Sequence, residues 1–322
     1  MTEIYPWQQT LWQQLTRRQQ LAHAFLLHGA SGIGKRALAD ALLAHWLTLG
    51  QPAAAVQKSK NLLAAGAHPD VFVLEPEENG KAIKIDPVRE LVAFASHTAQ
   101  ISTRKLILLE PAEAMNPNAA NALLKTLEEP SEGTILLLIS HQPSQLLPTL
   151  KSRCVPIACP QPNAQTALAW LMQSLPQLTE TDCRELLQLA AGSPLAARRL
   201  HAQDVRAQRQ KVVAGCKQLF KREQSASPLA ESWNAIPLLL LLDWFCEWAQ
   251  QTLRQQLADG SCTSADMQPV LIWLASRAKP EKLLAFYDWL LDKRRAIFAQ
   301  SPLNRALLLE GLLVQWAALA EG

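Results

Sequence analysis

The chain has 322 residues, 49% of them hydrophobic and 18% charged, with 31 Lys and Arg against 28 Asp and Glu for a formal charge of +3. That balance fits two to three globular domains with sizeable cores and excludes a disordered tail. The near-neutral, evenly spread charge argues against an autonomous nucleic-acid binder. The start, MTEIYPWQQT, lacks a basic stretch followed by an apolar one, which predicts no signal peptide. The longest apolar run, Ile236 to Leu242, contains Pro237, stops at Asp243 and is too short to cross a bilayer.

In chain order, five short apolar runs read as strands: Ala24–His28, Val71–Glu75, Lys105–Glu110, Thr134–Ser140 and Val155–Cys159. Four are almost continuously apolar, as expected of parallel strands covered by helices on both faces. Helices between them start where a mechanism exists: Asp86-Pro87 and Asn116-Pro117 each place an N-cap acceptor before a first-turn proline. The second helix should end at Glu129, because Pro130 disfavours helix in the residue before it. After Pro160-Gln161-Pro162 the strand-like runs stop. Residues 164–200 read as a few short helices, 222–232 as a loop, and the rest from about 207 as helical. Leu283, Phe286 and Leu290, and Leu309, Leu313, Trp316 and Ala320, recur at three- and four-residue steps. Six of the ten tryptophans follow residue 232 and are expected to fill a helical core rather than form a binding surface. The expected division is an α/β domain over 1–160, a small helical domain over 161–206 and a helical domain over 207–322.

The six cysteines, at 154, 159, 183, 216, 246 and 262, form no C-x-x-C pair, so buried free thiols are expected rather than a zinc ribbon or disulfide scaffold. The histidines show no metal-hydrolase spacing. Chemistry concentrates in Gly29-Ala30-Ser31-Gly32-Ile33-Gly34-Lys35-Arg36, which follows the first strand and opens a helix, where a phosphate-binding loop belongs. Gly29, Gly34 and Lys35 are its candidate nucleotide-binding residues. The next position should carry a Ser or Thr hydroxyl for Mg²⁺; Arg36 cannot ligate a cation and would repel one. Glu110, ending the third strand, either stands where a carboxylate would hold the metal or is an ordinary strand-end glutamate, and Pro111 cannot be the second acid that activates water. Lys125, Glu128 and Glu129 sit at spacings that suit ordinary pairs along one helix.

NALLKTLEEP at 121–130 and the run Pro143 to Cys154, ending Ser152-Arg153-Cys154, closely resemble the bacterial DNA polymerase III clamp-loader subunits of the AAA+ superfamily. His68-Pro69-Asp70 and the stretch from Ile83 to Arg89 are similar too. The resemblance implies an AAA+ module with a mainly parallel five-stranded sheet, a helical lid and an all-α collar domain. The missing loop hydroxyl and missing acid pair, with Pro194-Leu195 where the ATPase subunits carry an arginine after the Gly-Ser pair, side with the family's non-hydrolysing delta prime branch. The alternative is an active clamp-loader ATPase that tolerates Arg36 and uses Glu110; a free-standing nucleic-acid adaptor is a third reading, disfavoured by charge. The resemblance also implies that Arg153, with Ser152 and Cys154 as motif neighbours, acts in trans as an arginine finger on ATP bound by an adjacent subunit, and that Ser140 or His141 lies where a γ-phosphate sensor would. The implied partners are delta and tau/gamma subunits, with the sliding clamp and primed-template DNA reached through the assembled ring, in the cytoplasm and without a membrane. Any enzyme class would belong to the polymerase holoenzyme, and no cofactor is required of this chain. Many family members carry four cysteines between the loop helix and His-Pro-Asp; none lies there here, so no zinc is expected.

Overall fold

The computed structural model of the chain describes residues 4–18, 20–78, 81–257, 264–298 and 303–321. They form two compact units, residues 1–203 and 204–322.

The first unit opens with α1 (Gln9–Thr16), then β1 (Ala24–His28), α2 (Lys35–Thr48), α3 (Ala53–Ala64), β2 (Val71–Leu74), α4 (Ile85–Ser96) and β3 (Lys105–Leu109). It continues with α5 (Pro117–Glu128), β4 (Thr134–Ser140), α6 (Pro148–Lys151), β5 (Val155–Ala158), α7 (Ala164–Ser174), α8 (Glu180–Leu189) and α9 (Pro194–Ala202). The five strands make one parallel sheet in the order β2-β3-β4-β1-β5. In the central strands β3, β4 and β1 alternate residues feed opposite cores, whereas the edge strands β2 and β5 leave Val73, Pro156 and Ala158 exposed. In β4, Ile135, Leu137 and Ile139 join Phe25, Leu38 and Trp46 on one face, whereas Leu136 and Leu138 join Val88, Leu91 and Leu123 on the other. Covering both faces is what made the three central strands apolar along nearly their whole length.

Asn116 caps α5, its side chain accepting the Ala119 N–H at 2.8 Å, and the helix stops with Glu129 as C-cap. Asp86 does not cap α4. Ile83 is held extended by bonds to Ala114 and Asn116, so Lys84 takes the cap position and Asp86 falls inside the first turn, paired with Arg89 at 3.1 Å. The stretch expected to lack zinc ligands carries α3. Among the described residues no group of three or more His, Cys, Asp or Glu side chains could hold a metal ion. A separate apolar cluster of Ala167, Leu171, Cys183, Leu186 and Ala197 joins α7, α8 and α9.

The second unit is helical: α10 (Val205–Phe220), α11 (Ala226–Ser232), α12 (Leu238–Leu257), α13 (Gln268–Ala275), α14 (Pro280–Phe298) and α15 (Arg305–Ala318). Trp233, Trp248, Trp316, Phe245, Leu283, Phe286 and Leu290 are buried in it, with Phe245 edge-on to Trp316 at 5.2 Å. The expected loop at 222–232 is largely α11, a correction with a tertiary cause. Leu229 and Trp233 close on Gly215 of α10, where an added Cβ would meet Trp233 at 2.7 Å and Leu229 at 3.0 Å. That burial stabilises a helix the polar sequence does not announce. Among the described residues no helix is long and apolar enough to cross a membrane.

Candidate functional site

The loop that follows β1 turns through Gly29, Gly32 and Gly34 at positive φ, Gly34 forming the N-cap of α2 at φ +89°. The loop's expected pieces are therefore in place, but its surroundings crowd it. Lys35 turns back on the loop: its Nζ donates to the carbonyls of Gly29 and Ala30 at 2.7 and 2.6 Å. Burial lowers its pKa to about 8, a shift partly opposed by acidic neighbours including Glu110. Two other segments press onto the glycines. An added Cβ on Gly34 would lie 2.4 Å from the Tyr5 ring, and one on Gly32 would lie 2.6 Å from Ala196 in the first turn of α9. The Leu195 N–H, one of the donors a helix start leaves without an internal partner, donates to the Gly32 carbonyl at 3.0 Å. Trp7 Nε1 and Gln8 Nε2 both donate to the Ile33 carbonyl, at 2.8 and 3.0 Å. Tyr5 stacks on Trp7 at 5.0 Å, and both meet Trp170 edge-on.

Arg36 projects from the first turn of α2 into three carboxylates. Its Nε donates to Asp40 at 2.9 Å, and its Nη1 donates to Glu110 at 3.2 Å and to Glu75. Burial raises the Glu110 pKa, while the bond and charge of Arg36 oppose that rise. A fixed guanidinium thus supplies the positive charge that a metal ion would bring to Glu110. Nearby His141 is pushed down to about 4, first by burial and then by Lys35, and so is neutral at physiological pH; its backbone N–H donates to Glu113 at 2.8 Å. The cavity left over the loop measures about 240 Å³ and is lined by Tyr5, Ser31, Lys35, Glu110, His141 and Arg199, among others. Ligand clefts usually enclose roughly 300–1,000 Å³. With Arg36 in place of a hydroxyl, and Tyr5 and Ala196 against the glycines, these residues do not fit a magnesium–nucleotide complex.

Sequence reasoning anticipated Gly29, Gly34, Lys35, Arg36 and Glu110, and the fold gathers them. It missed Asp40 and Glu75, and it left open an occlusion of the loop by Arg36 or the N-terminal segment without naming Tyr5 or Trp7, which nothing local links to the loop. Arg198 and Arg199 stand too far past Gly192-Ser193 to match the ATPase pattern, yet the turn of α9 brings both to the same cavity. Arg199 approaches Ser31 Oγ at 3.5 Å and Arg198 lies over the Trp170 ring.

Arg153 lies elsewhere. It precedes β5 at the N-terminal edge of the sheet, where Val155 pairs with Phe25, whereas the loop follows the C-terminal end of β1 beside Cys159. At about 3.3 Å per strand residue, the six residues from Arg153 to Cys159 span roughly 20 Å, so Arg153 cannot serve its own loop. Its Nη1 donates to the Thr149 carbonyl at 2.7 Å and its Nη2 to Glu128. Glu128 therefore pairs across to Arg153 rather than along α5 as expected from its spacing. Ser152 is exposed, and Cys154 is buried with its thiol raised to about 12 by desolvation. Cys159, Cys183, Cys216 and Cys246 are buried free thiols too, and Cys262 lies outside the described residues.

The families described as DNA polymerase III, delta subunit, and DNA polymerase III, delta subunit, C terminal, match residues 6–163 and 203–318. A Pseudomonas aeruginosa protein named DNA polymerase III subunit delta' is 57% identical over 328 residues, covering 99% of each chain. The chain belongs to the DNA polymerase III delta prime family. Delta prime relatives from Yersinia pestis and Escherichia coli are 34% and 29% identical, covering 99% and 97% of this chain and 97% and 94% of their own. The parallel sheet, the loop after β1 and the helical cluster beyond β5 are thus the AAA+ module of a delta prime clamp-loader subunit, followed by its all-α C-terminal unit.

Proposed function

We propose that this chain is a clamp-loader subunit that hydrolyses no ATP of its own and presents Arg153 to the nucleotide of an adjacent ATPase subunit. The observation that carries the reading is Arg36, whose guanidinium meets Asp40, Glu75 and Glu110 where catalysis would need a hydroxyl and a metal ion. The small cavity over the loop and the return of Lys35 onto the loop carbonyls support it. The position of Arg153, on the sheet edge opposite its own loop, supports action in trans. A rigid, permanently charged fork stabilises the charge that collects on a transferring phosphoryl group. In this reading the chain is a fixed wall beside the delta and tau/gamma subunits in the cytoplasm. It reaches the sliding clamp and primed-template DNA through the ring, with no zinc and no nucleotide cofactor of its own.

Reconstitution with the ATPase subunits tests the finger. Arg153→Ala should leave assembly intact and cut hydrolysis at the adjacent site by about 10³-fold or more; unchanged hydrolysis refutes it. The chain alone tests the crowded pocket. Millimolar MgATP should leave its melting temperature unmoved, since only a ligand that binds the folded state raises it. Glu110, close to Lys35, is what keeps the active-ATPase reading in contention, and turnover by the isolated chain that Lys35→Ala abolishes would establish that reading instead.

A further inference from the structure

Arg153 is mounted by more than its own backbone. It follows the four-residue α6, a short element, yet two fixed acceptors hold its guanidinium: the Thr149 carbonyl on Nη1 and the Glu128 carboxylate on Nη2. Glu128 is the last residue of α5, and that helix is rigid on physical grounds. Asn116 caps its start, Leu123 and Leu127 are buried in the sheet core, and Pro130 blocks its extension. The pair is half-exposed, with 32% of the Arg153 and 48% of the Glu128 side chain accessible. Ion pairs so placed add little to stability, so stability alone does not account for a carboxylate aimed at this guanidinium.

We propose that Glu128 is a positioning residue that holds Arg153 ready for the phosphate of the neighbouring subunit's nucleotide. This rests on the reading of Arg153 as a finger acting in trans. A free arginine side chain samples many rotamers and must surrender them on binding; one already held in place surrenders less. The arithmetic of donors leaves room for the ligand. Arginine has five N–H groups, and each Nη carries two; the Glu128 contact needs only one on Nη2, so the other can meet a phosphate oxygen. The carboxylate also fixes the guanidinium plane, and small displacements of a group that acts on a transition state cost about 10²-fold in rate for roughly 1 Å.

The test uses the reconstituted clamp loader with only the ATPase site next to this chain active, stimulated by clamp and primed DNA. Glu128→Ala should lower kcat about tenfold or more with little change in KM for ATP. Glu128→Gln, which keeps an oxygen acceptor in the same place, should restore most of the rate. Combining Glu128→Ala with Arg153→Ala should be no slower than Arg153→Ala alone, because positioning works only through the arginine. A Glu128→Ala rate equal to or above the native one overturns the proposal, as does a double variant clearly slower than Arg153→Ala. If Arg153→Ala itself leaves hydrolysis unchanged, the finger reading fails and the positioning role with it; loss in Arg153→Ala but not in Glu128→Ala removes the positioning role alone.

Discussion

Arg36→Ala isolates the guanidinium that stands in for a cation. The variant loses three contacts of unequal worth. The bond to Asp40 is a partly buried i,i+4 pair worth about 0.3–0.5 kcal/mol after screening, and the pair with half-exposed Glu75 is worth at most about 1 kcal/mol. Glu110 matters most, because its side chain is only 17% exposed and loses a charge-assisted bond worth about 1.5–3 kcal/mol. Allowing for solvent screening, the total is about 2–3 kcal/mol, or roughly 5–10 °C in the melting temperature of a unit of some 200 residues. The deficit should also depend on pH. Burial already raises the Glu110 pKa, and without Arg36 it rises further, so the folded variant holds a proton more tightly than its unfolded chain does. The deficit is therefore small below the ordinary carboxylate pKa of about 4.3. It grows as pH rises through the raised folded value, and it is full at neutral pH. Melting curves of both proteins followed by circular dichroism at neutral pH and near pH 4 check this. A neutral-pH shift below about 1 °C, or a deficit that grows on acidification, refutes the stand-in role.

Asp70 gives the opposite sign. Burial pushes its carboxyl up, but the backbone N–H groups of Gln100, Ser102 and Ile101 hold it below the usual carboxylate range. Its stabilising effect is full above the unfolded pKa of about 3.9 and is lost as pH falls through the depressed folded value. Asp70→Asn should cost about 2–4 kcal/mol at neutral pH and flatten the acid limb of stability, as read from urea midpoints against pH. Gly34→Ala should cost about 1–2 kcal/mol from its left-handed backbone alone and displace Tyr5 from the loop, which a changed Trp7 fluorescence would report.

The centre of the sheet was legible because parallel strands buried on both faces must be apolar at nearly every position, and β1, β3 and β4 are so buried. Both ends of α5 were legible for local reasons, Asn116 as a side-chain acceptor and Pro130 as a steric block. The candidate site was half-legible. The glycines and Lys35 have the spacing of a phosphate loop, and Arg36 stands where such a loop would carry a hydroxyl, because the identity of one position against its neighbour is a local fact. An occlusion by the N-terminal segment was conceivable from the sequence, but only tertiary structure decided which residues crowd that loop. Tyr5, Ala196 and Arg199 are far from it in sequence, and no periodicity encodes a contact across such separations. The same holds for α11, which exists because Leu229 and Trp233 find the bare backbone of Gly215, and for Glu128, whose spacing suggests a partner on its own helix. Its actual partner, Arg153, is reached only once α5 and the start of β5 have been packed against one core.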